Sequence, residues 1–294
     1  MILKKKNILI LGGDARTLEV ITKLAEKGMH VFAAGFEKIS FDFPNIHYTA
    51  MDDIEPAQLD AILLPVRGTD TSGNVEADYS DKQIVLSKEF LKKTKADCII
   101  YSGTANQYLT SMAKSADRQL INIFDRDDIA IFNSIPTAEG ALMLAIQETD
   151  VTIHGASVVV LGFGRVGMTT AHLFSSVGAK VTVATRRSEP LARARQMGMS
   201  DVDLKNLKDT VTTAQICINT IPQLTLNKEI LSVMDPSCLI LDLASGDGGT
   251  DFQAAKSLGI KALHSLGLPG KTASKTAGTI IGDILLELLE KNSK

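Results

Sequence analysis

The feature that most constrains this chain is a glycine turn, Gly162-Phe163-Gly164-Arg165-Val166-Gly167, set between a continuous apolar run and an amphipathic stretch. Val158 to Leu161 reads as a strand buried on both faces, and Val166 to Val177 carries Ala171, Leu173 and Phe174 on one side of a helix. Glycine at 162 permits the tight strand-to-helix turn, Gly164 lets backbone approach an anion, and Gly167 lets the helix close on the strand. The helix N-terminus then offers unpaired N–H groups and a partial positive charge to phosphate. Strand, turn and helix in this order predict a dinucleotide site over Gly162, Phe163, Gly164, Arg165, Val166 and Gly167.

The next strand, Val181 to Ala184, ends in Thr185-Arg186-Arg187-Ser188. An acid there would accept both ribose hydroxyls of NAD, whereas guanidinium groups pair with a 2′-phosphate and stack on adenine. Thr185, Arg186 and Arg187 therefore predict NADP. Ligands in such sheets bind beyond the carboxyl ends of the strands, so the run Asn219 through Thr220, Ile221 and Pro222, the pair Ala244 and Ser245, and the segment His264 to Lys271 are expected to line the nicotinamide cleft. Leu266 to Thr272 has a P-loop flavour, but Ser265 stands where that motif needs glycine.

Strand and helix patterns alternate through both halves of the 294 residues, and 45% hydrophobic content suffices for two cores. The expected fold class is α/β, with two Rossmann-like, doubly wound parallel-sheet domains joined by a long helix and a cleft between them. The second series is expected to order its strands 3-2-1-4-5-6. Residues 1–128 form the expected first domain, 129–150 a connecting helix and 151–273 the NADP-binding domain, with a final helix over 274–294 packing back on the first. Pro136 with Ser134 as N-cap marks a helix start. Asp70 to Asp81 reads as a mobile surface loop.

A net charge of −3 supplies no basic field for nucleic acid or an anionic membrane. Cys98, Cys217 and Cys238 each sit in an apolar run and read as buried thiols of a reducing compartment. Lys4-Lys5-Lys6 precedes an apolar stretch too short for a signal peptide, and no apolar run approaches the ~20 residues of a membrane span. The expected location is cytoplasmic. No Cys/His pair has metal-ligand spacing, and no Gly-x-Ser-x-Gly elbow is present for hydrolase chemistry.

In the first half, Gly12-Gly13-Asp14-Ala15-Arg16 also joins a strand to a helix but lacks the third glycine of a dinucleotide turn. Arg67-Gly68-Thr69 and Ser102-Gly103-Thr104-Ala105-Asn106 follow two further strands. Together they describe an edge of guanidinium, hydroxyl and amide donors suited to carboxylates.

Along essentially its whole length the sequence resembles the family formed by the A subunit of dipicolinate synthase in spore-forming bacteria. The specific pieces are Leu11 to Arg16, Leu64 to Gly68, Asn133-Ser134-Ile135-Pro136-Thr137-Ala138-Glu139-Gly140 and Gly267 to Ala273. Thr17 departs from the pattern, which has glutamine after the arginine. The resemblance implies oxidation of a dihydrodipicolinate-type intermediate of the lysine pathway to pyridine-2,6-dicarboxylate during sporulation, with reduction of NADP. It also implies a partner, the flavoprotein-like B subunit of dipicolinate synthase. Such chemistry needs a ring placed against nicotinamide and two anchored carboxylates. Arg16, Arg67, Ser102, Thr104 and Ser134 are the expected carboxylate anchors, and Glu139, His264 or Lys271 the expected proton acceptors. Self-association is expected besides. The rival readings are a dehydrogenase of 2-hydroxy or 2-amino acids and a non-catalytic NADP-binding partner subunit.

Overall fold

The computed structural model describes residues 5–292, so Met1–Lys4 and the last two residues of the expected 274–294 helix lie outside the described residues. The chain forms two compact units. One holds the chain up to Ala130 together with the segment from Ala273 on; the other is Ile131–Thr272.

The strands in chain order are β1 (Asn7–Leu11), β2 (His30–Ala34), β3 (Ile46–Tyr48), β4 (Ala61–Leu63), β5 (Asn74–Val75), β6 (Ile84–Val85), β7 (Ile99–Ser102), β8 (Gln119–Asn122), β9 (Ser157–Leu161), β10 (Lys180–Thr185), β11 (Ser200–Asp203), β12 (Ile216–Asn219), β13 (Leu239–Asp242) and β14 (Ala262–His264). The helices are α1 (Ala15–Glu26), α2 (Lys88–Lys93), α3 (Gln107–Ser115), α4 (Asp127–Glu148), α5 (Arg165–Ser176), α6 (Ser188–Gln196), α7 (Leu207–Thr210), α8 (Lys228–Leu231), α9 (Phe252–Ser257), α10 (Leu268–Thr272) and α11 (Ser274–Lys291).

Each unit is a six-stranded parallel sheet wound in the same order. The first runs β3-β2-β1-β4-β7-β8 and the second β11-β10-β9-β12-β13-β14. The continuous apolar runs are central strands clothed on both faces. Ile8 and Ile10 of β1 face Val20 and Leu24 of α1 and Leu285 of α11, while Leu9 and Leu11 face Leu91, Leu109 and Met112 of α2 and α3. In the second sheet Val158 and Val160 meet Phe174 of α5 with Ala141 and Ala145 of α4. Val159 and Leu161 meet Leu207, Leu231 and Ala255 of α7, α8 and α9. The edge strands β3 and β11 carry no such run and were not legible from apolarity.

Helix α4 departs from expectation twice. It is continuous through Pro136, where the sequence suggested a fresh start capped by Ser134. Proline removes one rung of the helical ladder, and neighbouring hydroxyls occupy carbonyls beside the gap: Ser134 Oγ donates to Ile131 O and Thr137 Oγ1 to Asn133 O. At 22 residues α4 is also long and apolar enough to cross a membrane by length and composition. This corrects the expectation that no segment reaches that length; the polar side chains of Asn133, Ser134 and Thr137 had hidden it. From Ile131 onward α4 packs as part of the second unit, not as the separate 129–150 connector.

The loop expected to be mobile is built into the first unit. Residues 70–81 include half of a small antiparallel hairpin, β5 with β6, and Asp70 accepts hydrogen bonds from the backbone of Ser72 and Asn74. The following residues lie across the first glycine turn: Gly13 N donates to Glu76 O at 2.8 Å and Asp78 N to Gly13 O at 3.1 Å.

Helix α11 lies against α1, with Gly278 at the closest approach. A Cβ there would stand 2.3 Å from Arg16 O and 2.7 Å from Glu19 Cβ. Gly278→Ala is expected to lower stability by about 1–3 kcal/mol through overpacking, read as a lower denaturation midpoint. An unchanged midpoint would show that the α1–α11 seam is loose.

Candidate functional site

The two units use their glycine turns in opposite ways. At α1 the helix end is capped from within the chain, Asp14 accepting from Arg16 N, and in the turn before it Glu76 O takes the N–H of Gly13. A Cβ at Gly12 would strike Glu76 O at 2.4 Å, so backbone fills the ground a phosphate would need. At α5 the N-cap is Gly164, with no side-chain cap.

The three glycines of the second turn each answer a different demand. Gly162 has φ +87°, and a Cβ would lie 2.5 Å from Thr220 Oγ1. Gly167 is pressed against the strand, its notional Cβ 2.3 Å from Gly162 O. A Cβ at Gly164 would meet nothing within 4 Å, so no packing inside the fold requires glycine there. Open space in front of uncapped helical N–H groups fits a dinucleotide pyrophosphate. Phe163 is buried in the core beneath the turn, and Arg165 and Val166 open α5.

At the end of β10 Thr185 is buried; beyond it Arg186 Nη2 donates to Gln223 Oε1 at 3.1 Å, and Arg187 pairs with Glu189 at 2.7 Å. The Arg187 pair is exposed on both sides, so exchanging Glu189 for another anion costs little. Arg186 shares a groove of mixed polar and apolar lining with Leu204, Lys205, Leu207, Gln223 and Leu224. Asp203, in the same groove, is committed to Lys205, accepting from its backbone N–H at 2.9 Å.

The loops after β12 and β13 are fixed by a buried network that sequence reasoning missed. Asp242, fully buried, accepts from Ala244 N, Gly249 N, Thr250 Oγ1 and Asn219 Nδ2 at 2.6–3.0 Å. Asn219 also accepts from Ile221 N and donates to Ile221 O, while Thr220 Oγ1 donates to Leu161 O. Thr220, Ile221, Pro222, Ala244 and Ser245 are thus held by one carboxylate and one amide. The available signal was an acid closing the apolar strand Leu239-Ile240-Leu241.

The expected carboxylate anchors fare unequally. Arg16 is largely buried, and its Nε and Nη2 hold both oxygens of Asp14 at 2.5–3.0 Å. Burial opposes ionisation of Asp14, but the hydrogen bonds and charge of Arg16 outweigh it and hold the carboxyl below its ordinary range. Arg16 lines a small cavity with Pro65, Val66, Gly103 and Phe124. Arg67 is exposed on the turn closed by Gly68 N to Pro65 O. Ser102 is fully buried and donates to Thr104 O at 2.6 Å, tying down the end of β7. Thr104 is exposed but spends its proton on Val66 O. Ser134 is buried in α4 against Thr169. Ser102 and Ser134 are therefore structural hydroxyls rather than anchors, and Asn106 is the N-cap of α3.

The three expected proton acceptors are not joined by any hydrogen bond. His264 closes β14, with Nε2 3.3 Å from Ala244 O and its ring against Phe252. Lys271 is exposed on α10. Glu139 is exposed on the side of α4 opposite the buried Ala138, Ala141 and Ala145, so it faces away from the second sheet. The thiols are out of reach as nucleophiles: burial pushes Cys98 up to about 11, Cys238 up to about 12, and Cys217 well above its ordinary value.

Residues 7–124 match the family described as the N-terminal domain of the A subunit of dipicolinate synthase, and residues 137–264 match the NAD binding domain of S-adenosyl-L-homocysteine hydrolase. The curated dipicolinate synthase A subunit of Bacillus subtilis (strain 168) is 49% identical over 282 residues, covering 96% of this chain and 95% of that protein. The chain belongs to the family of dipicolinate synthase A subunits. The crystal structure of the family member from Bacillus halodurans superposes with a TM-score of 0.96 at 46% identity, covering 98% of each chain. That of the Bacillus subtilis protein does so with 0.94 at 47% identity, over 99% of this chain and 98% of that one. Within the family frame, the second unit is a nicotinamide dinucleotide-binding domain and the protein is of dehydrogenase-like, oxidoreductase type.

Asp242→Asn replaces an acceptor facing four donors by an amide that must present N–H to some of them. A loss of about 2–4 kcal/mol of stability is expected, seen by denaturant titration. A change under about 1 kcal/mol, the net worth of a single hydrogen bond, would show that the network is not what fixes the two loops.

Proposed function

We propose that the protein is the NADP-dependent oxidoreductase subunit that converts a dihydrodipicolinate-type intermediate of the lysine pathway into dipicolinate. The observation that carries this reading is the arginine pair closing β10 beside an uncapped helix N-terminus, with no acid at that strand end. Gly162 to Gly167 hold the pyrophosphate on the α5 N–H groups, and Arg186 and Arg187 take the 2′-phosphate. Thr220 to Pro222, Ala244 and Ser245 line the nicotinamide side. When bound, the nicotinamide supplies the hydride acceptor.

The chain's own work is then small. One ring C–H bond of the substrate breaks with its electron pair leaving as hydride, a second hydrogen leaves as a proton, and the ring becomes aromatic. Arg16 and Arg67 anchor carboxylates: Asp14 spends two of the three guanidinium nitrogens of Arg16 and fixes the plane in which the third, Nη1, is presented. His264 or Lys271 receives the proton. A 2-hydroxy acid dehydrogenase would want a histidine paired with an acid, and His264 meets a backbone carbonyl instead. The protein then works in the mother-cell cytoplasm of a sporulating bacterium, together with the flavoprotein-like B subunit.

The direct test follows NADPH and pyridine absorbance together, with the lysine-pathway intermediate and with the B subunit present and absent. Formation of both bands is expected; their absence in both mixtures would overturn the reading. Replacing Arg186 and Arg187 together by Ala is expected to lower kcat/KM for NADP at least about 100-fold, each lost charge-assisted bond costing roughly 1.5–3 kcal/mol, with little change for NAD. An equal loss with both cofactors would remove the arginines from 2′-phosphate recognition. Arg67→Ala is expected to raise the substrate KM at least about tenfold while NADPH binding stays intact, and an unchanged KM would take Arg67 out of the site.

A further inference from the structure

Helix α4 carries a second apolar face that the second unit does not cover. Its inner side is spent on the sheet, yet Phe132 is 51% exposed, Ile135 48%, Met143 36% and Ile146 60%. Glu139 is the single charged residue between Asp128 and Glu148, and its carboxylate makes no hydrogen bond or ion pair with another described residue. At 100° per residue all five lie within about 40° of one line along the helix.

The order along that line is a palindrome. Seven residues either side of Glu139 stand Phe132 and Ile146; four residues either side stand Ile135 and Met143. A two-fold contact between identical helices pairs residue i with j and j with i, so this order suits an antiparallel contact with a second copy and would be accidental for an unrelated partner. With Ile131 alongside, the patch is on the order of 400–500 Å², at the upper end for a lone monomer. Contributed from both sides, it approaches the ~1,000 Å² of a specific interface.

We propose that α4 is the dimerisation helix, packing antiparallel on α4 of a second copy with Glu139 on the two-fold axis, Phe132 against the partner's Ile146, and Ile135 against the partner's Met143. The axis brings two carboxylates face to face, a cost built into the contact. The dimer is therefore weaker than its apolar pairs alone would make it, and neutralising Glu139 strengthens it.

The register is tested by disulfide trapping in the full chain, whose native cysteines are buried. Glu139→Cys is expected to cross-link with itself under mild oxidation. Phe132→Cys alone is not, since its two copies would stand about 21 Å apart along the helices at 1.5 Å per residue; mixed with Ile146→Cys it is expected to yield the heterodimer. Sedimentation equilibrium should give a dimer whose dissociation constant rises at least about tenfold in Ile135→Asp and falls about three- to tenfold in Glu139→Gln. A chain that is monomeric at every concentration, cross-links best at Phe132→Cys alone, or leaves solution with phosphatidylglycerol vesicles would overturn the proposal.

Discussion

Everything functional in this chain turns on how a helix N-terminus disposes of its unpaired N–H groups after a glycine turn. Four such donors open every helix, and they must be met by side chains, water or a ligand. At α1 the chain caps its own helix through Asp14, which accepts from Arg16 N and Thr17 N, while the Glu76–Asp78 backbone lies across the glycine turn in front of it. At α5 no side chain caps the helix, and Gly164 looks into open space. Two sheets with the same strand order thus present different turns, one covered by the chain's own backbone and one open.

Closing the first turn has a consequence for Arg16. The carboxylate that caps α1 also grips the guanidinium, so the arginine is oriented by the residue that blocks the phosphate position. Asp14 is held below the ordinary carboxylate range despite its burial, which means the pair stays ionised in mildly acidic solution. A guanidinium so fixed loses little further entropy when it meets an anion. The open turn is served instead by a rigid frame at the ends of β12 and β13, where Asp242 gathers four donors and Asn219 bridges the two strands.

Much of this was legible in the sequence, for identifiable reasons. Central strands such as Val158 to Leu161 are buried on both faces and leave an unbroken apolar run, and glycine spacing reports the steric demands of the second turn directly. The edge strands Ile46–Tyr48 and Ser200–Asp203 leave no such trace. Side-chain roles were harder. Ser102, Thr104 and Ser134 look like ligand donors in one dimension, but each spends its hydroxyl proton on a nearby backbone carbonyl. Polar residues inside α4 disguised a helix with two apolar faces, and the segment 70–81 looked mobile because its hydrogen bonds run to Gly13, far away in sequence.

On the proposed function, the chain holds one dinucleotide site, at the uncapped α5 turn, and none at the capped α1 turn. Calorimetric titration of NADPH into the wild-type chain and Gly164→Ala tests this, because a Cβ at 164 meets nothing in the fold and the variant should keep its fold with at most a modest loss at the N-cap. One NADPH per wild-type chain and none in the variant is the expected result. Two per chain, or binding that survives the substitution, would contradict it.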